Sequence, residues 1–173
     1  MLMSVGNKVV YPSQGPCLIG AVVEKLVGGR PMSFYRLAVL DDSGSALFVP
    51  VDKLRALGIR QLLAKSEIPK LLDHLKNATA AEKNWKQRVI DNMKLLSSGS
   101  AFDLAEIVES LTELNETKAL SPRDRQTLDK ARKILICEIS EVMGETKGAA
   151  EEQIDQALKV GRDAMRRPVG KMQ

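Results

Sequence analysis

The chain has little of what enzymes, metalloproteins and membrane proteins need. Of its 173 residues 3% are aromatic, and it holds one tryptophan, one histidine and two cysteines. The histidine, His74, sits in Leu71-Leu72-Asp73-His74-Leu75 with no partnered nucleophile in view, so a surface position on a helix is expected rather than acid–base work. Cys17 and Cys137 lie far apart in apolar contexts, with neither a CxxC pair nor a nearby histidine, which predicts buried, reduced thiols. No G-x-x-x-x-G-K-S/T loop, no dinucleotide glycine fingerprint and no metal-ligand cluster is present. The carboxylate pairs Asp41-Asp42 and Glu151-Glu152 fall in a turn and at a helix start, where no acid–base role is needed to explain them. No apolar run approaches the ~20 residues of a bilayer span, and Met1-Leu2-Met3-Ser4 leads into a strand-like segment without a signal-peptide core. A cytoplasmic, non-enzymatic monomer without cofactor, metal or membrane contact is therefore expected.

What is present is an ordinary water-soluble composition, 44% hydrophobic and 28% charged, with a mild net charge of +4. Its distribution says more than its total. The segment from Asp103 to Glu116 carries Glu106, Glu109 and Glu113 and no basic residue, whereas Lys118, Arg123, Arg125, Lys130, Arg132 and Lys133 follow against only Asp124 and Asp129. One face for anions and one for water is the physical reading of that polarity.

The first part of the chain, residues 4 to 58, reads as short strands between turn signals. Lys8 to Tyr11 runs into Pro12-Ser13-Gln14-Gly15, Cys17 to Val23 follows, Gly28-Gly29 supplies a tight turn, and Ser33 to Leu40 and Ala46 to Val51 form a hairpin across Asp41-Asp42-Ser43-Gly44. This spacing predicts a small, bent antiparallel barrel of SH3-like or Tudor-like form. Alternation places Tyr35, Leu37 and Val39 on one face and Arg36 on the solvent side. Pro50 cannot donate to a ladder, which puts its strand at an edge. Phe48 beside it is then either an exposed docking aromatic or a cover for the barrel's open end.

Beyond Gly58 the period turns helical. Ser66 is the expected cap of a helix bearing Ile68, Leu71, Leu72 and Leu75; the Trp85 segment ends at Ser97-Ser98-Gly99; Ser100 and Ser121-Pro122 start two more; Gly144 stops the second. Thr146 is the expected cap of a last helix reaching Met165, before a frayed basic tail. The expectation is an α+β chain: residues 1–58 a β domain, 59–173 a bundle of about five helices.

Trp85 stands out among these elements. Its neighbours are Glu82-Lys83-Asn84 and Lys86-Gln87-Arg88, a polar context for the chain's single indole. Helical spacing puts it on a face with Val89, Met93 and Leu96, compatible with a half-buried core residue. An indole among cations equally suits a surface that meets phosphates and wedges against bases.

The chain resembles the CarD family of bacterial transcription regulators, also called CdnL. The resemblance is carried by Val5-Gly6-Asn7-Lys8-Val9-Val10-Tyr11-Pro12-Ser13-Gln14-Gly15, Phe34-Tyr35-Arg36-Leu37, Val49-Pro50-Val51, Leu57-Gly58-Ile59-Arg60, Asn84-Trp85 with Arg88, and Leu128-Asp129-Lys130-Ala131-Arg132. The first motif is shared with the polymerase-interacting domain of the transcription-repair coupling helicase; the tryptophan and the helical half select CarD. The resemblance implies a Tudor-like domain that docks on the RNA polymerase β subunit through Lys25, Arg36, Phe48 and Pro50. It implies a helical domain held at the upstream edge of the promoter bubble, with Trp85 as a wedge that slows bubble collapse. Lys83, Lys86 and Arg88 would support it on the phosphate side, and Lys130, Arg132 and Lys133 would form a second basic strip. Some members carry arginine where Lys25 stands and near Phe48, and Gln87 occupies a position that is basic in others. An adaptor on the polymerase without DNA contact is the alternative.

Overall fold

The computed structural model describes residues 3–77 and 81–166. Five antiparallel strands come first: β1 (Lys8–Tyr11), β2 (Gly15–Val27), β3 (Arg30–Val39), β4 (Ala46–Pro50) and β5 (Arg60–Gln61). They form one open sheet in the order β4-β3-β2-β1-β5. The sheet bends without closing into the expected barrel, so β4 is a free edge, as the proline in it requires. β2 and β3 run longer than alternation alone marks, because Gly28 and Gly29 both take positive φ and allow the hairpin to continue to Val27 and Arg30. Val9, Cys17, Ile19, Leu37, Val39, Val49, Leu54 and Ile59 are the core beneath the sheet. Ile59 and β5, which pairs with β1, lie just past residue 58, so the sheet domain extends slightly beyond it.

Five helices follow: α1 (Ile68–Leu75), α2 (Trp85–Ser97), α3 (Ala101–Thr117), α4 (Pro122–Met143) and α5 (Lys147–Arg166). Ser100 and Ser121 cap α3 and α4 by accepting from Asp103 N and Asp124 N, and Gly144 ends α4 in the left-handed conformation. Ser66 is not the cap of α1. It lies inside a 3₁₀ turn, Lys65–Glu67, that leads into Ile68. The helices surround a second core built on Leu71, Ile107, Leu111, Leu135, Ile139 and Ile154, each fully buried. The expected frayed tail lies outside the described residues.

The two cores meet along α4. The backbone of Gly15 approaches Ile134 so closely that a methyl there would touch it at 3.5 Å, and Cys137 Sγ lies 3.4 Å from Leu40 O. Ion pairs link the two parts: Lys8–Glu141 at 2.6 Å, Lys133–Asp41 at 3.3 Å, Lys147–Asp42 at 3.2 Å and Arg60–Glu138 at 2.7 Å. Among the described residues no helix is long and apolar enough to cross a membrane, and no cluster of His, Cys, Asp or Glu could hold a metal ion.

Candidate nucleic-acid interface and sheet edge

Trp85 is the first residue of α2. Asn84 caps it, its Oδ1 accepting from Lys86 N at 3.1 Å and Gln87 N at 3.4 Å. A side chain at that position leans toward the helix start and finds no earlier turn to lie on, so the indole projects outward. It is 62% exposed, more than the half-buried placement that its spacing allowed. Of the face it shares, Val89 and Leu96 are partly buried while Met93 is 55% exposed. The face is therefore only half engaged by the bundle, with Val89 and Leu96 partly covered and Trp85 and Met93 exposed.

Beside the indole a cavity of about 550 Å³ opens between α2 and the α3–α4 connection, lined by Trp85, Val89, Leu114, Leu120, Lys118 and Arg123. Its walls are apolar and its rim is basic. Lys86 Nζ stands 5.7 Å from the Trp85 ring centroid, in cation–π range. Arg123 Nη2 reaches only the Met93 thioether, at 3.5 Å, and Lys83, Lys86, Lys118 and Arg123 make no ion pair among the described residues. Lys118 and Arg123 are the neighbours that sequence spacing did not assign to Trp85; the signal was their place at the head of the basic run.

Arg88 differs from its expected place. It is 8% exposed and turned inward: Nη2 donates to Asp124 Oδ2 at 2.9 Å, Nε to Asp124 Oδ1 at 3.4 Å and Nη1 to Glu82 O at 2.8 Å. The bidentate pair fixes the start of α2 to the start of α4, leaving the guanidinium no free edge for a phosphate. The second strip is likewise divided. Lys130 is exposed, but Arg132 pairs with Asp155 at 2.7 Å and Glu151 at 3.8 Å, and Lys133 pairs with Asp41. Asp41 is held below the usual carboxylate range by the Ser43 hydroxyl, with burial opposing and Lys133 assisting.

The sheet presents its own cluster. Arg36 on β3 pairs directly with Phe48 on the edge strand, and Phe34 pairs with Pro50. Lys25 from β2 places Nζ 3.5 Å above the Phe48 ring, which is 43% exposed. All four expected edge residues thus share one neighbourhood, a cationic and aromatic surface beside unpaired backbone. Phe48 does not cap the core.

Family models match both halves of the chain. The family model described as "CarD-like/TRCF RID domain" matches residues 3–63, and "CarD, C-terminal domain" matches residues 70–155. A Bacillus subtilis protein named "Putative transcription factor YdeB" is 28% identical over 156 residues, covering 88% of this chain and 97% of that protein. The solution structure of the N-terminal domain of Myxococcus xanthus CarD is 37% identical, covers 34% of this chain and 77% of that one, and superposes with a TM-score of 0.29.

Proposed function

Because this chain belongs to the CarD family, we propose that it regulates transcription by binding RNA polymerase through the Lys25–Arg36–Phe48–Pro50 edge and stabilising the open promoter complex through Trp85. The polymerase contact is on the β subunit, and the DNA contact is at the upstream edge of the bubble. The observation that carries this reading is the 62% exposed indole at the head of α2 beside Lys86, Lys118 and Arg123.

An exposed aromatic costs apolar surface in water unless a partner covers it, and base edges at a distorted step offer such cover. Lys83, Lys86, Lys118 and Arg123 supply phosphate contacts, which position the wedge without reading sequence. Lys130, exposed farther along α4, borders the cleft between α4 and the sheet with Lys133, and Arg132 and Lys133 serve packing between elements. A net charge of +4 binds free DNA weakly, so docking of the sheet on the polymerase supplies the high local concentration the wedge needs.

Stopped-flow measurement of bubble lifetime tests this directly. Trp85→Ala shortens the lifetime; a loss of about 1.4 kcal/mol corresponds to a tenfold change. Equal lifetimes with wild type and Trp85→Ala would leave the adaptor reading, in which the chain touches polymerase alone.

A further inference from the structure

The two proposed contact surfaces lie on different domains, so docking of one places the other only if the path between them is stiff. That path can be traced. Glu138 on α4 is fully buried, and both of its oxygens are occupied: Oε1 accepts from Arg60 Nη2 at 2.7 Å, and Oε2 from Arg60 Nη1 at 2.9 Å and Leu63 N at 2.9 Å. Arg60 belongs to β5, and its remaining Nε donates to Gly99 O at 2.6 Å, at the turn that ends α2.

Gly99 is itself wedged against the sheet domain. Its φ is +82°, and a Cβ there would meet Pro12 at 3.2 Å and Gly58 O at 3.6 Å. The C-terminal end of α2 is therefore bolted to the sheet, while the Arg88–Asp124 pair ties its N-terminal end to α4. Asp124 and Glu138 sit about four helical turns apart on that one helix. The same strut carries both anchors.

We propose that Arg60, Glu138 and Gly99 are positioning residues for Trp85, converting the place where the sheet docks into the place where the indole enters DNA. This rests on the function proposed above. α2 has 13 residues, and a helix of that length is about 20 Å long, so a tilt of about 10° at Gly99 moves its tip by about 3 Å. A wedge displaced by that distance misses a single base step, whose rise is about 3.4 Å. Lysine at position 60 keeps the charge but cannot hold two carboxylate oxygens and a carbonyl in one plane.

The test compares wild type, Arg60→Lys, Gly99→Ala, Trp85→Ala and the control Lys8→Ala, which breaks an exposed pair between the same domains without touching α2. Each is measured for polymerase affinity and bubble lifetime, and all but Trp85→Ala for acrylamide quenching of the single tryptophan. Arg60→Lys and Gly99→Ala bind polymerase as wild type does, shorten bubble lifetime about as far as Trp85→Ala, and alter quenching; Lys8→Ala changes none of these. Gly99→Ala keeps the test open if Arg60→Lys fails to fold, because it leaves every buried charge paired. Wild-type lifetimes from folded Arg60→Lys or Gly99→Ala, with Trp85→Ala impaired, would overturn the positioning role alone. Wild-type lifetime from Trp85→Ala would instead overturn the function on which it rests.

Discussion

Arg88 and Asp124, 36 residues apart in sequence, meet in a buried bidentate pair that joins the first turns of α2 and α4 directly beneath Trp85. Removing one partner strands the other charge in a low-dielectric site, which costs about 3–5 kcal/mol. Arg88→Ala is expected to lower unfolding free energy in urea by about 3 kcal/mol. The double variant Arg88→Met with Asp124→Leu loses less than the two single losses together, since no charge is left unpaired. A single-variant loss under about 1 kcal/mol, the value of an exposed pair, would contradict this assignment.

The phosphate-facing cations differ from the paired ones in salt response. Each phosphate contact removed lowers the slope of log K against log salt by about 0.9. Lys86→Ala, Lys118→Ala and Arg123→Ala should each reduce the slope for DNA binding by about that amount, measured by fluorescence anisotropy from low to moderate salt. Lys133→Ala should leave it unchanged, because Lys133 is engaged by Asp41. A reversed pattern would move the interface down α4.

How much of this was readable in sequence follows the range of the interactions. Caps at Ser100 and Ser121, the stop at Gly144 and the edge position of β4 depend on residues within one turn or one strand, and each is observed. Ser66 failed as a cap because Ala64 and Glu67 organise the 3₁₀ turn before α1. Arg88 is a different case. Its partner lies across the bundle, and nothing beside Trp85 announces an acid 36 residues away. Arg132 and Lys133 adjoin in sequence but face α5 and the β3–β4 turn respectively.

Phe48 offers a separable test of the polymerase side. An exposed aromatic under a lysine, on an edge strand, has the character of an interface hot spot, whose truncation costs about 2 kcal/mol or more. Phe48→Ala should weaken polymerase binding roughly thirtyfold at that cost. Its melting temperature should change little. Unchanged affinity in a calorimetric titration would place the docking surface elsewhere.

The two thiols predict an alkaline limit to stability. Burial pushes Cys17 up to about 12 and Cys137 up to about 11, from an ordinary 9.0. In the unfolded chain both ionise from about pH 9, whereas in the fold they stay neutral to higher pH. Their contribution is complete below pH 9 and is lost as pH rises toward 11–12. Cys17→Ala should flatten the fall in unfolding free energy between pH 9 and 11, and native wild type should resist thiol reagents at pH 8. Rapid labelling of the folded protein would contradict the burial.

The most direct measurement concerns what Trp85 touches. A photoreactive aromatic introduced in place of Trp85, irradiated in a polymerase–promoter complex, should crosslink to DNA at the upstream edge of the bubble, and only when polymerase is present. The same group introduced in place of Glu152 on α5 should give none. Crosslinks from position 85 to polymerase alone, or no more DNA product than from position 152, would contradict the wedge.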